Sequence, residues 1–321
     1  MKKYRCYRTS VEDFLTAPQQ AGIAPERYFS MLNDAFIKDN GVEYSFSIDH
    51  DINLMELAFV NSGRNYVFID NEDAEYLYRM KFSGTMMDSL PLHRSVFAIS
   101  PTTNLQIDGV PILPIMVCDY ESRTESTKQI ADAFNQPVLG APVNEEQLLF
   151  TIVIPDSMAK HNQKLTLGVS GAQLKEIAGT NDPERIHDVV GHYGAALTLT
   201  ADEKKRLAVS LKLVVSMSLF NHITEGEYLR DGFPVGLAKK PKHLGLMKHE
   251  LKGSRTTVFK LGGEHNTSSR GQHIRSAHYR QLVDERYYRN EHQDKPVGSR
   301  WIPVKASIVG GGSAETQTTP T

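Results

Sequence analysis

Residues 200–223 read Thr-Ala-Asp-Glu-Lys-Lys-Arg-Leu-Ala-Val-Ser-Leu-Lys-Leu-Val-Val-Ser-Met-Ser-Leu-Phe-Asn-His-Ile. Thr200 and Glu203 have the spacing of a capping box, in which each side chain answers a backbone N–H of the other at the start of a helix. The first turns are charged, whereas Leu213–Phe220 is apolar on nearly every side. A helix of that kind is buried centrally, so the pattern predicts a core helix over roughly 201–223. Its apolar run, Leu211–Phe220, is interrupted by Lys212, Ser216 and Ser218 and is too short to span a bilayer.

Upstream the pattern mixes α and β. Ser10 with Asp13 three residues on marks a helix start, with Pro18 expected to limit its length. A second helix opens at Pro25, places Phe29, Leu32 and Phe36 on one face, and ends at Asn40-Gly41. Strand-like runs follow at Val42–Ile48, Tyr66–Ile69, Val96–Ile99 and Ile112–Cys118, with a helix over Glu72–Met80. Pro111 and Pro114 predict that the last run is an edge strand or only begins a strand there. Thr124–Phe134 reads as helix, and Leu148–Ile154 and Leu165–Val169 read as strands. Asp182-Pro183 pairs a capping carboxylate with a proline at the first helical position. After Ile223, residues 224–254 scatter glycine and proline among lysines, as an extended loop or hinge does. Strand-like segments return at Thr256–Leu261 and Arg300–Ile308.

The predicted fold is therefore α+β: a mixed sheet around a long buried helix, with a basic, β-containing C-terminal region. Three parts are expected: an acidic body over 1–223, a basic His/Arg-rich region over 224–309 packed on it, and a disordered tail over 310–321. The chain has 321 residues, 40% hydrophobic and 23% charged, which is enough for a substantial core. Its two cysteines, Cys6 and Cys118, lie far apart, which excludes a disulfide scaffold and a cysteine zinc finger and fits a reducing cytoplasm. No apolar segment follows the basic start Met1-Lys2-Lys3-Tyr4-Arg5, so no secretory signal is expected.

Charge is unevenly placed. Residues 230–305 hold sixteen Lys/Arg against seven Asp/Glu, a net of +9, and leave −11 for the rest of the chain. Six of the twelve histidines fall in the same stretch. Such asymmetry points to a polyanionic partner, nucleic acid first. The densest part is His273-Ile274-Arg275-Ser276-Ala277-His278-Tyr279-Arg280, followed by Arg286, Arg289, Lys295, Arg300, Trp301 and Lys305. Arginine forks fit phosphate oxygens, and the interleaved Tyr279, Tyr287, Tyr288 and Trp301 offer faces for unpaired bases. As a strand, neither face of 273–282 is cleanly apolar; as a helix, Arg275 and His278 stack at i,i+3. The pattern leaves both conformations open.

The expected nucleic-acid contacts are His273, Arg275, His278, Arg280, Arg286, Arg289, Arg300, Trp301 and Lys305, with RNA or single strands ahead of duplex DNA. One alternative is a phosphodiester-processing enzyme in which His273 and His278 serve as acid and base, with Arg275 and Arg280 stabilising the transition state. Another is an interaction protein whose basic patch docks on an acidic protein surface, its own homo-oligomer included. The H-x-R-x-x-H-x-R unit, with Arg300-Trp301-Ile302 and Ile308-Val309-Gly310, resembles a C-terminal pattern in uncharacterised bacterial and phage proteins. That resemblance covers about forty residues and implies no activity.

Other motifs carry less. His187-Asp188 resembles the His-Asp pair of HD-domain metal phosphohydrolases, with His161 and Asp231 as the other positions that such a site would need. Asp188 and His192 share a helix face, which makes half a metal site at most. Asp49-His50-Asp51 is expected to be a turn after a strand, its aspartates bonding local backbone. Neither P-loop, dinucleotide fingerprint nor nucleophile elbow is present, and no cofactor or metal is expected.

Overall fold

The computed structural model describes residues 3–40, 48–82, 92, 94–134, 148–155, 164–180, 182, 185–186, 200–234, 244, 254–261, 273–275, 278–304 and 307–309. In chain order the helices are α1 (Val11–Ala21), α2 (Pro25–Asn40), α3 (Ile48–Asn61), α4 (Asn71–Arg79), α5 (Tyr120–Ala133), α6 (Gly171–Gly179) and α7 (Ala201–Ile223). The strands of the main sheet are β1 (Asn65–Ile69), β3 (Val96–Pro101), β6 (Ile115–Asp119), β7 (Leu148–Pro155), β8 (Lys164–Ser170), β9 (Leu229–Asp231) and β10 (Arg255–Phe259). Short strands make smaller sheets: β2 (Lys81–Phe82), β4 (Gln106–Ile107), β5 (Val110–Pro111), β11 (His273–Arg275), β12 (His278–Gln281), β13 (Trp301–Val304) and β14 (Ser307–Val309).

The seven-stranded sheet runs β8-β7-β6-β3-β1-β10-β9. β3, β1 and β10 are mutually parallel at its centre, and antiparallel partners extend it on both sides. Every residue of β1 and β3 is buried, as expected where helices cover both faces of a sheet. On one face Val67, Ile69, Phe97, Ile99, Ile115 and Val117 pack with α4, α6 and α7. On the other, Tyr66, Phe68, Ala98 and Met116 pack with α3 and the N-terminal segment Tyr4–Tyr7. A third apolar cluster joins α1, α3 and α5 through Val11, Leu54, Leu57, Ile130 and Phe134. The fold is α+β with a mixed sheet.

Helix α7 forms as its sequence predicts. The capping box closes, with Glu203 N–H bonded to Thr200 Oγ1 (3.3 Å) and Thr200 N–H to Glu203 Oε2 (2.6 Å). Every residue from Leu207 to Phe220 is buried, including Ser210, Lys212, Ser216 and Ser218. The lysine is answered at the carboxyl end of α6, where its Nζ donates to the carbonyls of Ile177 (3.1 Å) and Ala178 (3.0 Å). A cation there meets the negative end of the α6 dipole as well as two carbonyls without an intrahelical partner.

Several expectations are corrected. Pro18 lies inside α1 and does not stop it; the helix ends at Gly22, whose left-handed φ of 66° supplies the turn. Of the two readings of the Pro111/Pro114 run, the edge strand fails and the strand entry holds: β6 starts at Ile115, directly after Pro114, and sits between β3 and β7 with all its N–H groups available to the ladder. Asp49-His50-Asp51 opens α3 instead of turning after a strand, and the strand-like run ahead of Ile48 lies outside the described residues. The stretch after Ile223 is not all loop, since Leu229–Asp231 pairs with β10 and closes one edge of the main sheet. The expected helix start at Asp182 is visible as one bond from Ile186 N–H to the Asp182 carbonyl (3.1 Å); the tail beyond 309 lies outside the described residues.

Candidate functional site

The H-x-R-x-x-H-x-R segment resolves its open conformation as two strands. His273 and Arg275 lie in β11, in antiparallel register with Val309 and Ser307 of β14. His278 and Arg280 lie in β12, in register with Val304 and Ile302 of β13. β12 also runs parallel to β2, which ties this hairpin to the chain just after α4. Trp301 opens β13 opposite Gln281, and Lys305 lies outside the described residues. The sequence unit is thus divided between a two-stranded and a three-stranded sheet, with the histidines of the proposed acid/base pair in different sheets.

Between β12 and β13 the chain makes a long excursion, pinned by one side chain. The Tyr288 hydroxyl donates to the Leu282 carbonyl (2.7 Å) and accepts from the backbone N–H groups of Gly298 (2.8 Å) and Arg300 (2.9 Å). Tyr288 is buried, so it is spent on holding the loop and offers no face to a base, contrary to the sequence expectation. Arg300 is half-buried, donates to the Tyr287 carbonyl, and lies 5.9 Å from the Tyr288 ring centroid. Its planar fork has five donors, one of which makes this bond. Arg286 is exposed; it stacks 4.7 Å over the Tyr287 ring and lies 3.4 Å from an Asp284 carboxylate oxygen. Arg289 and Lys295 are exposed and form no ion pair among the described residues.

A cavity of about 690 Å³ opens between this loop and the carboxyl end of α7. His222, from the last turn of α7, lines it together with His292, Lys295 and Arg300 from the loop, and Glu225 contributes one carboxylate. Two imidazoles and two permanent cations therefore face a single space. The turn after α7 closes the helix end: Glu225 and Gly226 both adopt left-handed φ, at 52° and 81°, and the Gly226 N–H bonds back to the Asn221 carbonyl (2.9 Å). Asn290, at φ 57°, starts the short turn that carries His292. Sequence reasoning named Arg300 and placed Lys295 in the basic run, but it missed His222 and His292. His222 is distant in sequence, and no local pattern announces that α7 ends against residues 292–300.

A second polar cluster lies at the carboxyl ends of the parallel strands β3 and β1, a position where α/β sheets commonly bind ligands. Asp70 caps α4 by accepting the Asp73 N–H (3.2 Å), and Asp73 accepts the Leu261 N–H (3.2 Å). Burial, then the neighbouring Asp70 charge, pushes the Asp73 carboxyl up to about 7. Burial, then Asp70 and Asp73, raises the Tyr4 hydroxyl to about 12. Thr102 Oγ1 donates to Asn71 in the same corner. These contacts join α4 to β10 and the N-terminal segment, a structural task that accounts for both carboxylates.

Among the described residues, no group of three or more His, Cys, Asp or Glu could hold a metal ion. His161, His187, Asp188 and His192 lie outside the described residues, and Asp231 is exposed at the edge strand β9. Both cysteines are buried, and burial pushes the Cys118 thiol far up, which removes it as a nucleophile. No helix among the described residues is long and apolar enough to cross a membrane. Comparisons of the chain with protein-family models, with curated proteins and with solved structures gave no match.

Proposed function

We propose that the protein binds nucleic acid, unpaired RNA ahead of duplex DNA, through its basic C-terminal region. The observation that carries this reading is the cavity at the end of α7, where His222, His292, Lys295 and Arg300 converge although they come from two separate elements. Arginine and lysine donors on one wall suit phosphate oxygens, and preorganisation by the Tyr288 hydroxyl lowers the cost of ordering them on binding. The Arg286–Tyr287 stack is the kind of planar cation–aromatic surface on which unpaired bases rest. Phosphate contacts supply most of the affinity, and the protein works in the cytoplasm, where its two thiols stay reduced.

His273 and His278, the acid and base of the nuclease alternative, lie in strands of different sheets. Asp284 beside Arg286 and Glu225 at the cavity temper the positive charge there. Fluorescence anisotropy with a labelled unpaired RNA tests the reading. Arg275→Ala, Arg280→Ala and Arg300→Ala are each expected to weaken binding by roughly 1–2 kcal/mol with folding intact. Unchanged affinity in the triple variant would remove the proposed interface.

A further inference from the structure

We propose that the cavity at the end of α7 is a subsite for a phosphate monoester, the phosphorylated end of an RNA strand, in preference to an internal phosphodiester. This inference rests on the nucleic-acid reading and adds which part of the strand the cavity takes.

The first argument is charge. A phosphate monoester carries about −1.5 to −2 at neutral pH and presents three free acceptor oxygens. An internal diester carries a single charge and two. The cavity gathers Lys295 and Arg300 as permanent cations, with His222 and His292 also in its lining. Against them stand the carboxylate of Glu225, one full negative charge, and the carbonyl end of α7, about half of one more. A diester is answered by one of these cations, whereas a dianion with three oxygens draws on both.

The second argument is shape. About 690 Å³ is the size of a pocket for a small ligand, enough for one nucleotide with its phosphate. Stacked, repeated contacts along a backbone-tracking groove are instead the mark of sites for passing strands.

The third argument is rigidity. Arg300 is fixed on the Tyr287 carbonyl, and its backbone N–H on the Tyr288 hydroxyl. His292 and Lys295 sit on consecutive turn bonds, from His292 N–H to the Arg289 carbonyl (3.3 Å) and from Lys295 N–H to the His292 carbonyl (3.1 Å). The Arg300 fork, held this way, discriminates between phosphate geometries better than a mobile surface lysine does.

The experiment compares one unpaired RNA sequence in three forms, with a 5′-phosphate, a 3′-phosphate or hydroxyls at both ends, and includes adenosine monophosphate as a separate ligand. All are titrated into the full chain and into its Lys295→Glu and Arg300→Lys variants. One phosphorylated form is expected to bind about tenfold tighter than the hydroxyl form. Lys295→Glu should erase that difference, and it should weaken hydroxyl-ended RNA by less than it weakens the phosphorylated form. Equal affinity for all three RNAs overturns the monoester subsite and leaves RNA binding standing. Absence of RNA binding overturns the nucleic-acid reading. In that event the nucleotide arm still decides the cavity: binding lost in Lys295→Glu upholds a monoester site, and no binding overturns it.

Discussion

Glu56 shows what a buried charge requires at the scale of one residue. Its Oε1 accepts from the Tyr7 hydroxyl (2.8 Å) and from Lys164, and its Oε2 accepts from Ser10 N–H (2.6 Å), Ser10 Oγ (3.1 Å) and Val11 N–H (3.0 Å). The carboxylate thus caps α1 from another helix and neutralises a lysine on the edge strand β8. Breaking such a pair leaves an unanswered charge, so Glu56→Ala is expected to cost about 3–5 kcal/mol in urea denaturation. Replacing both partners, Glu56→Leu with Lys164→Met, should cost less than the sum of the single changes. Asp73 gives a pH signature. Its folded value of about 7 stands above the ordinary 3.8, so in that window the folded chain holds a proton that the unfolded chain has released. Its contribution to stability therefore falls as pH rises from about 4 to 7 and stays lost above. Asp73→Asn keeps an acceptor for Leu261 N–H and removes the ionisation. Discounted for partial exposure, it should raise stability by roughly 1 kcal/mol near pH 8 and change little near pH 4, as thermal melts would register.

At the scale of elements, what was legible in sequence was what local chemistry specifies. Thr200 and Glu203 fixed the start of α7, and eight consecutive residues without a polar face announced its burial. β1, β3, β7 and β8 were readable as apolar runs between turn residues. Illegible elements were those where a local rule yielded to tertiary context. Pro18 breaks helices as a rule, yet α1 runs through it and packs the proline into the interior. The first turn of α3 is polar at Asp49-His50-Asp51, which hid a helix whose apolar face begins only at Ile52. Conformation in 273–282 could not be read because its strands are short and take their partners from residues 301–309 and from β2. Lys212 couples two helices, and its removal tests that coupling. Lys212→Ala leaves a cavity and takes away the donor to the Ile177 and Ala178 carbonyls, so a loss of about 2–4 kcal/mol is expected in chemical denaturation.

For the whole molecule, the sheet order ties the late part of the chain to the core. β10 comes from late in the chain and pairs along β1, with β9 beyond it. A chain cut after residue 224 would leave β1 as an unpaired edge with a fully buried composition, so this truncation is expected to aggregate on expression while the full chain stays monodisperse in size-exclusion chromatography. Charge asymmetry, a property of composition, was visible in the sequence and led to the C-terminal region. Convergence of charge was not, because it depends on where α7 ends in space relative to the loop that Tyr288 holds. The central claim is that these converging cations bind unpaired RNA, and it is tested most directly by measuring affinity for an unpaired RNA and a duplex DNA of equal length as salt rises. We expect RNA to bind more tightly, with affinity falling about tenfold or more between roughly 50 and 200 mM salt. RNA that shows no binding at the lowest salt, or binding indifferent to salt, would contradict it.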